Sequence, residues 1–131
     1  MSMRIITTKE EREKIIESLT DKSEALVEMN RRECECIKDA DVVIEYVLRT
    51  NLVKDEDRVE ELFKVFRDMN FPDPKNFDHW YYIVQYSMTR ELTMDELMRV
   101  WDELREYSTD WAVNIVDDLG QDLRLVIIGV M

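Results

Sequence analysis

Leu123-Arg124-Leu125-Val126-Ile127-Ile128 is the stretch on which the fold turns. Leu119, Leu123, Val126, Ile127 and Val130 recur at the spacing of one helical face, yet the same β-branched run also suits a strand. As a strand it has only Met3 to Ile6 to pair with inside the chain; otherwise its edge would seek another molecule. The tail is read as helix or irregular packing, with a short strand as the alternative.

Working outward, Val42, Val43, Ile44, Tyr46, Val47 and Leu48 follow a cap at Asp41 and precede a stop at Thr50-Asn51. Their β-branching again suits a strand, but nothing nearby alternates with period two, and a helix is expected. After Asn76 or Asp78, the residues Trp80, Tyr81, Tyr82, Ile83, Val84, Tyr86 and Met88 leave hardly any polar face, which reads as a central helix. Ser108 or Thr109 would cap a further helix with Trp111, Ala112, Ile115, Val116 and Leu119 inside and Gly120 as its left-handed stop.

Three capping boxes punctuate the rest. Thr8-Lys9-Glu10-Glu11 opens a helix whose inner face begins Ile15, Ile16, Leu19; Asp21-Lys22-Ser23-Glu24 restarts or decorates it, and the stripe continues through Leu26, Met29 and Ile37. Thr93-Met94-Asp95-Glu96 opens another, with Leu97, Val100, Trp101, Leu104 and Tyr107 inside. Asp55 starts the clearest amphipathic helix, whose buried stripe is Val59, Leu62, Phe63, Phe66 and Met69. With 131 residues and only 2 Gly and 2 Pro, the chain reads as all-α. The expectation is one domain over residues 1–131, a compact bundle or array of five to seven helices, with 1–40 a more polar helical segment and 41–131 the main core.

The chain also echoes itself. Glu61-Leu62-Phe63-Lys64-Val65-Phe66 matches Glu96-Leu97-Met98-Arg99-Val100-Trp101 in residue type, and Val43-Ile44-Glu45-Tyr46 loosely matches Ile83-Val84-Gln85-Tyr86. Two helix-turn-helix units linked by Met69-Asn70-Phe71-Pro72-Asp73 resemble the helical hairpins of tetratricopeptide and pentatricopeptide proteins over roughly residues 42–107. That resemblance implies a peptide-binding or RNA-binding superhelix.

Charge bounds the partners. Lys and Arg number 18 against 30 Asp and Glu, a net charge of −12, which repels nucleic-acid phosphate, so no direct nucleic-acid binding is expected. The last third, residues 91–131, holds 10 acids and 3 bases, more than half of the excess. Cys34 and Cys36 point apart on a helix and read as reduced thiols, and no stretch approaches a membrane span. A soluble cytoplasmic protein is expected, with homo-oligomers possible.

Catalytic constellations are sparse. His79 is the sole histidine, which excludes His-rich metal sites, and Asp78-His79 is read as a helix entry rather than an acid-base pair. Gly120 and Gly129 form no phosphate loop. Glu10-x-x-Glu13 and Glu103-x-x-Glu106 resemble half of the acidic motif pair of helical Mg²⁺ pyrophosphohydrolases, but no Glu-x-x-Asp follows either. No catalytic residue, metal ligand or cofactor is assigned.

What remains is an acidic docking surface. Asp95, Asp102, Glu106 and Asp110 are expected near one outer face, Asp117 and Asp118 follow, and Tyr82 and Tyr86, one turn apart, supply polar-tipped rings for a partner. The function expected is a non-enzymatic protein–protein interaction module, an adaptor, assembly subunit or inhibitor, docking on a basic protein surface. The alternatives are a nucleic-acid-mimicking inhibitor of a nuclease or other nucleic-acid-binding protein and, last, a Mg²⁺-dependent hydrolase.

Overall fold

The apolar runs that lack a polar face are strands, not helices. The computed structural model describes residues 2–20, 25–27, 34–51, 57–69, 73–107 and 110–131. In chain order the elements are β1 (Ser2–Ile5), α1 (Lys9–Thr20), β2 (Ala25–Val27), α2 (Glu35–Asp39), β3 (Val43–Arg49) and α3 (Arg58–Asp68), then β4 (His79–Tyr86), α4 (Met94–Glu103), β5 (Asp110–Ile115) and β6 (Arg124–Val130). The strands form one sheet in the order β1-β3-β6-β4-β5-β2, with β2 only 3 residues long. The expected all-α bundle of five to seven helices is therefore corrected to a mixed α/β fold with four α-helices among the described residues.

The tail is the centre of the molecule. β6 pairs antiparallel with β3 from Val43↔Val130 to Arg49↔Arg124, and with β4 from His79↔Val130 to Gln85↔Arg124. It does not pair with β1, which instead takes the far side of β3. β4 and β5 run parallel, from Tyr81↔Asp110 to Tyr86↔Ile115. Because β3 and β4 are both antiparallel to β6, they are parallel to each other, and β6 fills the space between them. The chain thus makes two strand–helix–strand crossovers, β3-α3-β4 and β4-α4-β5, the first of them split by β6.

Helices cover both faces. On one face α1 and α2 contribute Ile15, Ile16, Leu19 and Ile37 against Tyr81, Ile83, Val126 and Ile128. On the other, α3 and α4 contribute Val59, Leu62, Phe63, Val100 and Leu104 against Tyr82, Val84, Leu125 and Ile127. A strand buried on both faces has no polar side and so no alternation to display. That is why period two is missing from 43–49, 79–86 and 124–130. The tetratricopeptide-like hairpins fail for the same reason: their supposed first helices are β3 and β4.

Helix starts follow local chemistry. The Thr8 hydroxyl accepts from Glu11 N at 3.2 Å and opens α1. Thr93 makes a full capping box with Glu96 at the start of α4, and Asp57 caps α3 by accepting from Glu60 N. Asp55, the box at residues 21–24, Met29, Ser108 and Thr109 lie outside the described residues. Arg12 reaches from α1 to the end of α2, donating to the carbonyls of Ile37, Lys38 and Ala40 at 3.3, 3.2 and 2.7 Å. It thereby satisfies acceptors that a helix end leaves open.

Two glycines have definite work. Gly120 has φ +57°, but it turns the chain between β5 and β6 rather than ending a helix. Gly129 lies opposite Trp80 in β4, where an added Cβ would sit 2.8 Å from the indole and 2.9 Å from the Phe77 ring. Only a residue without a side chain lets those rings close over β6.

A buried arginine locks the end of the sheet from which α3 and α4 begin. Arg58, fully buried at the start of α3, donates from Nε and Nη2 to Glu96 Oε2 and Oε1 at 2.6 and 2.9 Å. Its other N–H groups reach the carbonyls of Arg90, Glu91 and Gln121 at 3.0, 2.9 and 3.1 Å. One side chain thus joins α3, the connection before α4, the turn before β6 and the first turn of α4. Burial pushes the Glu96 carboxyl up, but the Arg58 hydrogen bond, the Thr93 N–H and the Arg58 charge outweigh it and hold the group below its ordinary value.

Candidate functional site

α4 turns Val100 and Leu104 into the core and leaves an adjoining side bare. Met94, Met98 and Trp101 are 71%, 49% and 41% exposed. They stand four and three residues apart, so their side chains form one stripe along the outer face. Trp101, expected inside, is in fact its C-terminal end. Asp95 and Asp102, seven residues apart and both exposed, flank the stripe on one side, and Glu106 is exposed just beyond the helix.

Beside that flank α3 and α4 leave a cavity of about 600 Å³, lined by Phe63 at depth and by Glu60, Arg67, Arg99, Asp102 and Glu106. Its charges are largely spoken for. Arg99 makes a two-pronged bond to Asp57 at 3.1 and 2.8 Å, Arg67 reaches Glu103 at 3.5 Å, and Arg105 reaches Asp102 at 3.2 Å. The Arg99 hydrogen bond holds the Asp57 carboxyl below its usual range.

The structure separates the other acids picked out from the sequence. Asp110 is in β5, on the face covered by α1 and α2, where its carboxylate meets His79 Nε2 at 2.8 Å. Asp117 and Asp118 lie exposed in the β5–β6 connection, and Asp118 bonds Arg124 at 3.3 Å. This connection leads into the turn gripped by Arg58, so these two belong to the end where α4 begins, whereas Asp102 and Glu106 are at its other end. Tyr82 and Tyr86 are only 1% and 3% exposed and pack in the core against α3 and α4. Neither ring is available to a partner. Burial pushes both phenols up in pKa.

His79, Tyr81 and Cys36 make a second polar cluster. The His79 and Tyr81 rings are 4.5 Å apart, and the Tyr81 hydroxyl meets Cys36 Sγ at 2.6 Å. Burial and the Cys36 hydrogen bond raise the Tyr81 phenol far above its ordinary value, so it stays protonated. The partner of His79 is Asp110, not its neighbour Asp78, and the pair ties the start of β4 to the start of β5. Glu10 and Glu13 on α1 and Glu103 and Glu106 near the end of α4 lie on opposite sides of the sheet. They do not converge on one ion. Among the described residues, no group of three His, Cys, Asp or Glu side chains could hold a metal, and no helix is long and apolar enough to cross a membrane.

Sequence reasoning missed the stripe because it placed Trp101 in the core and gave Met94 and Met98 no role. The available signal was a methionine–methionine–tryptophan row at helical spacing beside a separate apolar row of Leu97, Val100 and Leu104. One helix does not need both for a single core. No protein-family model matches this chain, and no curated protein resembles it significantly.

Proposed function

We propose that this protein is a non-enzymatic cytoplasmic interaction module that docks the outer face of α4 on a protein partner. The partner offers an apolar groove for Met94, Met98 and Trp101, edged by basic residues that meet Asp95, Asp102 and Glu106. The exposure of three large apolar side chains in one row carries the reading, since a helix surface of this kind otherwise holds polar groups. Charge supports it: residues 91–131 carry 10 acids against 3 bases, so a basic partner is steered to this part of the chain. Mimicry of nucleic-acid phosphates fits less well, because Asp110 is tied to His79 on the other face of the sheet and Asp117 lies in the β5–β6 connection, away from the flank of Asp102 and Glu106.

Affinity capture from native cell extract at low and high salt tests the proposal, using the natural chain, Trp101→Glu and a triple variant Asp95→Lys, Asp102→Lys, Glu106→Lys. A basic protein retained by the natural chain should be lost with Trp101→Glu at both salt concentrations. The triple variant should lose it chiefly at low salt, where steering matters most. Equal retention by all three would refute docking through α4.

A further inference from the structure

Among the described residues the sheet ends at β1. Ile6 N donates to Val43 O at 2.8 Å, and Arg4 lies opposite Glu45 in β3. In an antiparallel pair alternate residues turn their backbone groups to the same neighbour, so Ser2, Arg4 and Ile6 face β3. The N–H and C=O groups of Met3 and Ile5 therefore point away from the sheet, and no described segment lies beyond them. The side chains of the same two residues are 55% and 59% exposed. They continue across the sheet into half-buried Ile44 and Tyr46, their register partners in β3.

We propose that a second copy of this chain occupies that edge, joining the two sheets through antiparallel β1 strands about a two-fold axis. Met3 then lies opposite Ile5 of the other copy and Ile5 opposite its Met3, each pair exchanging both backbone hydrogen bonds. All four apolar side chains meet on one face. Arg4 falls opposite Arg4 on the other face, but each guanidinium already holds Glu45 at 2.9 Å and Glu11 at 3.2 Å, so no bare cations meet there and each cluster carries only a small negative excess.

Local charge favours a copy of the chain as occupant. Residues 1–20 carry 4 acids (Glu10, Glu11, Glu13, Glu17) and 4 bases (Arg4, Lys9, Arg12, Lys14), so that even with Glu45 beside Arg4 this edge is nearly neutral in a protein of net charge −12. Two such edges approach with little local repulsion, and an edge of 4 residues makes the dimer weak and concentration-dependent. Remaining long-range repulsion is screened by salt, so self-association strengthens as salt is added. Docking through α4 weakens under the same change, which keeps the two proposals separable.

Sedimentation equilibrium from micromolar to millimolar protein, at low and moderate salt, is the test. The natural chain should form a dimer that tightens with salt. Ile5→Pro removes one outward N–H and leaves the bonds to β3 in place, and Met3→Lys puts a charge into the joined apolar face. Either variant should weaken the dimer by at least about tenfold, or 1.4 kcal/mol, with far-ultraviolet circular dichroism unchanged. Should Ile5→Pro fail to fold, Met3→Lys alone decides, since its side chain leaves the backbone ladder untouched. A natural chain monomeric at every concentration overturns the proposal, and so does a dimer indifferent to these substitutions.

Discussion

Arg58→Ala should destabilise the protein by about 3–5 kcal/mol, the cost of leaving a buried ionic partner uncompensated, measured by urea unfolding. The guanidinium is fully buried, and its loss strands the Glu96 carboxylate together with the carbonyls of Arg90, Glu91 and Gln121. Lys in its place supplies a point charge without the planar fork and should recover little. The double change Arg58→Met, Glu96→Leu should be milder than the single one, because it leaves no buried charge, although the three carbonyls and the Thr93 N–H lose their partners in it too. Acid exposes the same lock. Glu96 titrates below its ordinary value of 4.5, so its contribution is present above that pH and is lost as pH falls through the lower folded value. In Arg58→Met, Glu96→Leu that part of the acid sensitivity should vanish. Equal stabilities for the natural chain and Arg58→Ala would refute the lock.

Ile128→Ala should cost about 2–5 kcal/mol in the same assay, a magnitude found for large residues cut down in a closed core. Ile128 is fully buried, with Glu45 and Tyr81 as its register neighbours on either side. Met131, three residues further on, is 41% exposed, and Met131→Ala should stay within about 0.5 kcal/mol. The contrast is specific to a central β6. A peripheral tail would give two small effects, and that outcome would contradict the topology.

What the sequence discloses here is where three of the helices start. Thr8, Asp57 and Thr93 act within a few residues of their partners, so local spacing reveals them, although Asp57 rather than Asp55 proves to be the cap of α3. The strands are hidden because β3, β4 and β6 are covered on both faces, which erases the alternation that marks a half-buried strand. The internal echo is read in the wrong secondary structure, and its paired positions pack differently, with Phe63 1% and Met98 49% exposed. Val43–Tyr46 and Ile83–Tyr86 lie in β3 and β4, while residues 61–66 and 96–101 lie in α3 and α4, so each half of the echo spans a strand and the helix after it. Contacts between distant residues left no local trace: Arg58 meets Glu96 across 38 positions and His79 meets Asp110 across 31. The acids of the candidate site were visible as composition, but their grouping depended on a helix at 110–119 that is in fact β5 and a turn.

Hydroxyl-radical footprinting addresses the outer face of α4 most directly, because exposed thioethers and indoles are readily oxidised and each is read separately by mass spectrometry. Met88 and Met131, 56% and 41% exposed, serve as internal references. Moving the protein from buffer into extract of its native cells should slow oxidation of Met94, Met98 and Trp101 several-fold relative to those references. Oxidation of all five at unchanged relative rates would show that nothing covers α4, and would contradict its role as the docking surface.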